Sequence, residues 1–413
     1  MYMLRPLIGY LVFLCVSLFL FGTQEIQLKK KWKIILFGIL FQVATVFAFT
    51  NLSCCISAIE WVATGVMKLK DATIEGTKFC FGYIGGGELP FDLKEGGNAF
   101  VFAFQVLPTT ILVSAVSAIL THFRILPILS NILGYIFKLI FNVKSYIGMV
   151  AIAKIFIGQL DTLLLIKEKL SSLKKSEMFI VLALAFATSS ASVMPIYSSI
   201  LEPVCPEAMK HMIISSVVCV ISVLLVAVIS LPLSKNENND EFKTNTTDLS
   251  FMDAVSKGIF DGFNVWWCIV GSLIGTVALL ALINYILDIF PNVCGEPITL
   301  QRIFGFITYP FVWLIGIQSS DLMEVSKIIG TRIAVNETVA FFDLAKATIS
   351  SDSVIKTIYS INNFGNFSAI GITIAGYKAI APENKILSQI IWKAFIGGLV
   401  ATGLTSTLIG IFL

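Results

Sequence analysis

Eight long runs of apolar residues limit what this chain can fold into. Each is about 20 residues long, and together they cover 4–22, 34–50, 100–121, 177–200, 208–232, 264–287, 354–376 and 388–413. A helix of about 20 residues is about 30 Å long, which matches the hydrocarbon core of a bilayer. Only 13% of the residues are charged, about half the share of a typical soluble protein. The sequence therefore predicts an all-α polytopic membrane protein with eight transmembrane helices.

The lysines predict how the chain is oriented in the membrane. They cluster at 29–33, after the first run, and at 167–175, before the fourth. Because Lys and Arg accumulate in cytoplasmic loops, both segments are predicted to be cytoplasmic and the N-terminus to lie outside. The first run is interpreted as a membrane helix rather than a signal peptide, since its apolar part is too long. The polar segment 234–250 is predicted to be a solvated linker.

The sequence contains none of the common metal or cofactor motifs. Its eight cysteines are scattered without a C-x-x-C pair, and neither His122 nor His211 belongs to an H-E-x-x-H motif. The three glycines at 85–87 follow no strand and precede no G-K-[ST], so they predict a turn. We therefore expect no metal, no cofactor and no nucleic-acid partner.

Two further apolar segments, 147–170 and 320–347, are broken near the middle by polar residues. The breaks are Gly-Gln-Leu-Asp at 158–161 and Val-Asn-Glu-Thr at 335–338. Each half has about 11 to 13 residues and is under about 20 Å long, too short to cross a bilayer alone. Both segments are predicted to be re-entrant helical hairpins with their tips in mid-membrane.

Two remaining segments, 126–143 and 299–316, are apolar but interrupted by polar residues, and are predicted to be interfacial helices. They share the related sequences ILGYI at 132–136 and IFGFI at 303–307. Asp161 and Glu337 lie 176 residues apart, and so do Ser192 and Ser368, so one register relates the two halves. The halves are predicted to form an inverted repeat.

The spans that follow the two hairpins are themselves interrupted. Thr-Ser-Ser-Ala-Ser at 188–192 breaks the run 177–200, and Asn-Asn-Phe-Gly-Asn at 362–366 breaks the run 354–376. Paired broken segments in two repeats are typical of a transporter whose solute site lies at the bilayer midplane.

Three ionisable residues, Lys154, Asp161 and Glu337, are predicted near mid-membrane, where a charge costs at least ~2.5 kcal/mol on insertion scales. Such a cost favours a functional role over simple helix association. Lys154 lies about seven residues before Asp161, so its side chain could alternatively extend to the cytoplasmic interface. The other candidate contacts of a small polar solute are Gln159, Asn336, Asn366, Val193 and Phe364.

At these residues the chain resembles the concentrative nucleoside transporter family, of bacterial type, over nearly its whole length. The resemblance is carried by FVFAFQVLP at 100–108, IFIGQ at 155–159, VNE at 335–337 followed by Asp343, and NFSAIG at 366–371. It implies a homotrimer in the inner (cytoplasmic) membrane that imports nucleosides by an elevator mechanism. It also implies four regions: 1–122, scaffold spans; 123–233, first repeat of the transport domain; 234–298, linker and scaffold span; 299–413, second repeat.

The resemblance further implies which residues bind the solute. The first hairpin tip, Gln159, Leu160 and Asp161, would contact the nucleobase, and Glu337 and Asn366 would hold the ribose. Val193 and Phe364 would line the pocket, with Ala369 where the family has a Ser. Leu160, Asp161 and Ala369 depart from the family pattern, so we expect a nucleoside-like solute outside the usual set.

The implied cation site also departs from the family pattern. Sodium-coupled relatives have an Asn in the place of Lys154, with a hydroxyl at Thr188 and carbonyls at Ile157 and Ser189. An ammonium group there would repel Na⁺ and could replace it as a tethered cation. We expect that Na⁺ does not drive transport. H⁺ is then the suspected coupling ion, or the protein is a facilitative uniporter.

Two other classes of protein stay open on the residues alone. Asp161 and Glu337 could form the carboxylate pair of an intramembrane hydrolase, although no protease or hydrolase motif accompanies them. A channel would have charged rings along a pore, and the paired hairpins would then have no assigned function. Carriers exchange labelled for unlabelled solute, whereas channels do not and hydrolases alter the solute.

Overall fold

Helices make up the regular structure of this protein. The computed structural model describes residues 4–20, 25–94, 99–156, 166, 170, 173–231, 250–293, 295–363, 365–380 and 386–413. Within these ranges every named element is helical, with one isolated bridge between Val293 and Glu296. The predicted all-α fold class is confirmed.

The helices of the first half precede the predicted linker. They are α1 (Leu4–Phe19), α2 (Glu25–Asn51), α3 (Ser53–Phe81), α4 (Phe102–Gln105), α5 (Thr109–His122), α6 (Ile125–Phe141), α7 (Ser145–Phe156), α8 (Lys175–Ala187), α9 (Met194–Leu201) and α10 (Ala208–Ser230). The helices of the second half are α11 (Phe251–Leu287), α12 (Leu300–Ile315), α13 (Leu322–Ala334), α14 (Glu337–Lys346), α15 (Ser351–Ile361), α16 (Phe367–Ile380) and α17 (Ile386–Phe412).

Most of the predicted spans correspond to long apolar helices. Among the described residues, five stretches are long and apolar enough to cross a bilayer: Lys31–Asn51, Phe102–His122, Ala208–Ser230, Phe251–Leu287 and Ile386–Phe412. The predicted spans 177–200 and 354–376 are broken helix pairs, α8 with α9 and α15 with α16. The number of crossings, eight in our prediction, stays a prediction.

Two features of the helices were not predicted. Helix α3 has 29 residues, but charged side chains along it lower its hydropathy, so no span was assigned there. Helix α11 begins at Phe251, 13 residues before the predicted start at 264. The Ser250 hydroxyl accepts a hydrogen bond from the Asp253 amide, while the Asp253 carboxylate accepts one from the Ser250 amide. This capping box fixes the earlier start.

The core forms around α10 and α17, whose apolar side chains are buried on nearly all sides. Helices α1 and α2 pack on this pair, whereas α5 packs along α11. A buried polar chain joins the four core helices: Tyr10 donates to Gln42, Gln42 donates to Ser222, and Ser222 lies 2.7 Å from Thr405. Helices α1 and α2 thus pack on helices that lie beyond the boundary predicted at residue 122, and the four predicted regions stay a prediction.

A glycine contact recurs between the interfacial helices and the helices that follow them. In the first half Gly134 of α6 lies against the backbone of Gly148 in α7, and in the second half Gly330 of α13 lies against the backbone of Gly305 in α12. Both α6 and α12 lie where interfacial helices were predicted. The helix order is similar in the two halves, and an inverted repeat stays a prediction.

Two glycines let α11 approach α5 closely. A Cβ atom on Gly262 would lie 2.5 Å from the Ile111 Cα atom, and one on Gly258 would lie 2.7 Å from the Ala115 Cα atom. The Thr110 hydroxyl also donates to the Gly262 carbonyl over 3.2 Å. Small residues four apart permit such backbone contact between membrane helices.

Gly262→Ala is therefore expected to separate α11 from α5 and to lower the free energy of unfolding by about 1–3 kcal/mol, the usual cost of overpacking. The measurement is the thermal midpoint of the purified protein in detergent. Gly271→Ala on the same helix is the matched control, because a Cβ atom there meets nothing within 4 Å. Equal shifts in the two variants would contradict this account of the contact.

Helices α13 and α14 form a pair whose ends meet. The chain enters α13 after Asp321 and leaves α14 before Ser350, and the Ser350 amide and hydroxyl both donate to the Asp321 carboxylate, at 3.1 and 2.8 Å. The Ser320 hydroxyl donates to its other oxygen over 2.8 Å. These bonds close the base of the segment that was predicted to be the second hairpin, 320–347.

The hydrogen bonds from Ser350 and Ser320 to Asp321 predict that stability depends on pH. Burial raises the pKa of this carboxyl, but hydrogen bonds from Ser353, Ser350 and Ser320 outweigh it and lower the pKa to about 2. A pKa depressed by folding stabilises the protein above the unfolded value of about 4, and the stabilisation disappears as pH falls toward 2. Asp321→Asn is expected to be less stable than wild type by a constant amount above about pH 5.

The gap between wild type and Asp321→Asn is expected to narrow between about pH 4 and pH 2. Thermal midpoints of both proteins across this range measure it. A difference in thermal midpoint that stays constant down to pH 2 would show that the charge on Asp321 does not stabilise the protein.

Candidate functional site

Three breaks in the helices lie next to one another inside the protein. They separate α8 from α9, α13 from α14, and α15 from α16, at the residues where breaks were predicted. The Ser189 hydroxyl donates to the Asn362 side-chain oxygen over 2.5 Å, which joins the first break to the third. Helix ends with unpaired backbone groups can bind ions and polar solutes without a large desolvation cost.

Glu337 and Asn366 are brought together at two of these breaks. Glu337 is the first residue of α14 and is 7% exposed. Its Oε2 atom accepts a hydrogen bond from the Asn366 Nδ2 atom over 2.7 Å. Asn366 in turn accepts one from the Ala369 amide over 2.7 Å, which caps α16 and fixes the orientation of the carboxamide. The position of Glu337 at a helix N-terminus favours its negative charge.

Tyr197 completes the surroundings of Glu337 and was not predicted. Its hydroxyl donates to the Glu337 Oε1 atom over 2.9 Å, and its ring stacks on Phe341 with centroids 4.4 Å apart. A tyrosine in an apolar run, one turn after a polar break, is a weak sequence signal, since a buried hydroxyl usually has a hydrogen-bond partner. The partner lies 140 residues away, so the sequence does not identify it.

Asn336 touches a different part of the structure. Its Oδ1 atom caps α14 by accepting from the Val339 amide, and its Nδ2 atom donates to the Thr276 hydroxyl over 2.9 Å. Thr276 belongs to α11, so the tip between α13 and α14 contacts the long helix that packs with α5.

Lys154 belongs to α7, and its side chain reaches the C-terminal end of α8. It is 0% exposed, and its Nζ atom donates to the Thr188 carbonyl over 3.3 Å. Thr188 caps the C-terminus of α8, the end of a helix that attracts cations. The Thr188 hydroxyl donates to the Leu184 carbonyl. A second contact crosses the same break, because the Ala191 amide donates to the Ile155 carbonyl over 2.9 Å.

The remaining predicted site residues divide into described and undescribed ones. Val193 is buried one turn before Tyr197, and Ala369 is buried three residues after Asn366. Ser189 is hydrogen-bonded to Asn362. The predicted contacts outside the described residues are Ile157, Gln159, Leu160, Asp161 and Phe364. Within the described ranges, no three His, Cys, Asp or Glu side chains lie close enough together to hold a metal ion.

Comparison with known families decides the identity of the chain. Three family models match it: "Na+ dependent nucleoside transporter N-terminus" over residues 8–84, "Nucleoside recognition" over 103–204 and "Na+ dependent nucleoside transporter C-terminus" over 211–410. The chain belongs to the concentrative nucleoside transporter family. It is a multi-pass membrane transporter and not an enzyme, as predicted.

Individual relatives agree with this assignment. The chain is 24% identical to the purine nucleoside transport protein NupG of Bacillus subtilis strain 168, over 100% of both chains. It is 26% identical to solute carrier family 28 member 3 of Homo sapiens, over 98% of this chain and 59% of that one. Among solved structures, CNTnw in an intermediate state matches with a TM-score of 0.90 at 24% identity over the full length of both chains. CNTnw in an inward-facing substrate-bound state matches with 0.87 at 22% identity. The concentrative nucleoside transporter fold is thereby shown for this chain.

Proposed function

We propose that this concentrative nucleoside transporter imports nucleosides or nucleoside-like solutes across the cytoplasmic membrane without coupling to Na⁺. Transport is driven either by the H⁺ gradient, in a symport mechanism, or by the gradient of the solute itself, in facilitative uniport. The observation that carries the proposal is the buried Lys154 ammonium group on the Thr188 carbonyl, at the end of α8 where a coupling cation would be attracted.

The proposed sugar site consists of Glu337 and Asn366. A carboxylate that accepts from both Tyr197 and Asn366 still has free lone pairs, and these can accept hydrogen bonds from two neighbouring hydroxyls of a ribose. Hydrogen bonds to a carboxylate are about twice as strong as neutral ones. The family models and the names of relatives, which refer to nucleosides, support this choice of solute. The nucleobase contacts predicted at 159–161 and Phe364 belong to the same proposal, with Val193 and Ala369 as lining.

The proposed cation site is already occupied by the protein's own side chain. Na⁺ and the ammonium group would need the same carbonyl oxygens, and two cations a few ångströms apart repel strongly in a low dielectric. Thr188, Ser189 and Ile157 would otherwise contribute to a Na⁺ site. A tethered cation returns with the empty carrier, so it transports no net charge in a cycle.

Packing suggests how the proposed elevator divides. Helices α5 and α11, held together through Gly258 and Gly262, would belong to the static scaffold. The block built on α10 and α17, with α1 and α2 attached, would move together with the two predicted hairpins. This division differs from the assignment of the whole of 1–122 to the scaffold, which the family resemblance implies. The only described hydrogen bond from the tip at Asn336 to this scaffold is the one to Thr276, and it would break in each cycle. We further propose a homotrimer, with the N-terminus outside.

Counterflow in proteoliposomes tests the proposal. Vesicles loaded with unlabelled uridine or adenosine are expected to accumulate the labelled solute transiently, at the same rate with Na⁺ or choline as the cation. An inward pH gradient then separates the two mechanisms, since H⁺ symport raises accumulation above equilibrium and uniport does not. Uptake that increases with an inward Na⁺ gradient at fixed pH would refute Na⁺ independence. No exchange of uridine or adenosine would refute transport of these two nucleosides.

A further inference from the structure

Arg332 is a buried cation that no step of the proposed function uses. It lies near the end of α13, is 1% exposed, and its positive charge interacts with Glu337. We propose that Arg332 is the positioning residue for the sugar site, and that it sets the preference of the transporter for solutes with ribose hydroxyls. The inference rests on the proposed function, because it takes Glu337 and Asn366 as the sugar contacts.

Arg332 connects the α13–α14 pair to the break between α15 and α16. Its Nη1 atom donates to the Asn363 Oδ1 atom over 2.6 Å and to the Gly365 carbonyl over 2.8 Å. Asn363 and Gly365 lie in the break between α15 and α16, and Asn366 follows Gly365 directly. The guanidinium group therefore holds the backbone at Gly365, next to which Asn366 extends to Glu337.

Asn363 makes two further hydrogen bonds at this break. Its Oδ1 atom also accepts from the Gly365 amide over 3.1 Å, and its Nδ2 atom donates to the Ser360 carbonyl over 3.0 Å. One side-chain oxygen thus joins the guanidinium group to the Gly365 amide. A change at Arg332 would be transmitted to Asn366 through these bonds, without contact between Arg332 and the solute.

The space at residue 365 fits this arrangement. A Cβ atom on Gly365 would lie 2.6 Å from the Arg332 Nη1 atom and 3.0 Å from the Asn363 Oδ1 atom. The guanidinium group could move away only by breaking both of its hydrogen bonds. The break thus carries a glycine where any side chain would displace Arg332.

Charge gives Arg332 a second effect on the site. Its positive charge offsets part of the cost of burying the Glu337 carboxylate, which accepts stronger hydrogen bonds from hydroxyls than a neutral group does. Stability alone does not explain the residue, since its Nε atom is buried without a hydrogen-bond partner among the residues that the structure describes. An unpaired donor on a buried cation destabilises a fold.

The ratio of transport of a ribonucleoside to that of its dideoxy analogue tests the inference. Uridine and 2′,3′-dideoxyuridine, and the corresponding adenosine pair, are compared by counterflow in wild type, Arg332→Met, Arg332→Lys and Gly365→Ala. Wild type is expected to favour the ribonucleoside by about tenfold or more, as a site that bonds hydroxyls does. Arg332→Met and Gly365→Ala are expected to bring the ratio close to one by raising KM for the ribonucleoside. Arg332→Lys, which keeps the charge but not the planar guanidinium group, is expected to lie between.

The ratio does not depend on how much protein folds, so loss of expression does not imitate the effect. Lys327→Met, on the same helix and partly exposed beside Glu324, is the matched control and is expected to keep the wild-type ratio. Unchanged ratios in both Arg332→Met and Gly365→Ala overturn the inference while leaving the proposed function intact. A wild type that carries no nucleoside overturns both.

Discussion

Glu337→Gln is expected to reduce nucleoside counterflow by at least about 100-fold while the protein remains folded and inserted. The carboxylate accepts from Tyr197 and Asn366, one bond on each oxygen. A glutamine would keep one oxygen and turn an NH₂ group toward the other donor, so one buried hydrogen bond is lost. The solute hydroxyls would in addition lose a charged acceptor, whose bonds are about twice as strong as neutral ones.

Counterflow and binding of uridine and adenosine measure the effect of Glu337→Gln, and the thermal midpoint checks folding. Glu324→Gln is the matched control, because it removes the same charge from the neighbouring helix α13 at an exposed position. It is expected to transport at the wild-type rate. Unchanged transport in Glu337→Gln would remove Glu337 from the site and with it the proposed sugar contacts.

The helix breaks could be predicted because they conflict with the local pattern. Short polar stretches inside apolar runs, such as 188–192 and 362–366, cannot continue as lipid-facing helix without unpaired polar groups. The same argument predicted the break at 335–338. In each case polar residues that indicate the break also make hydrogen bonds to another segment, as Ser189 does to Asn362. The local pattern and the tertiary structure therefore point to the same residues.

The partners of the site residues could not be predicted, because they come from distant segments. Tyr197 is 140 residues from Glu337, and Arg332 is 31 residues from Asn363. Each looks ordinary in its own segment: a tyrosine in an apolar helix, and an arginine that a charge pattern would place at an interface. Only the packing of the broken helices brings Tyr197 to Glu337 and Arg332 to Asn363.

Hydropathy also misled the prediction where polar residues are not a sign of a break. The charged side chains of α3 lower its mean hydropathy, yet it is a continuous helix of 29 residues. In α1 and α2 the polar groups of Tyr10 and Gln42 join neighbouring helices rather than a solute. Polar residues in apolar helices thus either join neighbouring helices or mark a break, and their spacing within one segment does not distinguish the two roles. Only the hydrogen-bond partner from another segment distinguishes them.

Lys154→Asn is expected to make transport depend on Na⁺. The substitution removes the ammonium group from the Thr188 carbonyl and supplies a side-chain oxygen near the end of α8. Oxygen ligands at the C-terminus of a helix attract a small hard cation. Because Na⁺ then enters with the solute and leaves inside, each cycle moves one net charge. At −100 mV this charge is worth about 2.3 kcal/mol, or about 50-fold accumulation.

Lys154→Met shows whether the effect of Lys154→Asn comes from the new oxygen ligand or only from the loss of the positive charge. Methionine is similar to lysine in length but offers only a weak acceptor, so this variant is expected to bind no Na⁺ and to show no Na⁺-dependent accumulation. Uptake in vesicles at equal pH on both sides, with Na⁺ or choline outside, measures the difference. Wild type and Lys154→Met should respond equally to the two cations, and Lys154→Asn should respond only to Na⁺. If Lys154→Asn transports but ignores Na⁺, then the Thr188 carbonyl is not part of a cation site. Lys154 would then be only a helix cap, and the expectation that a tethered charge replaces Na⁺ in this transporter would be wrong.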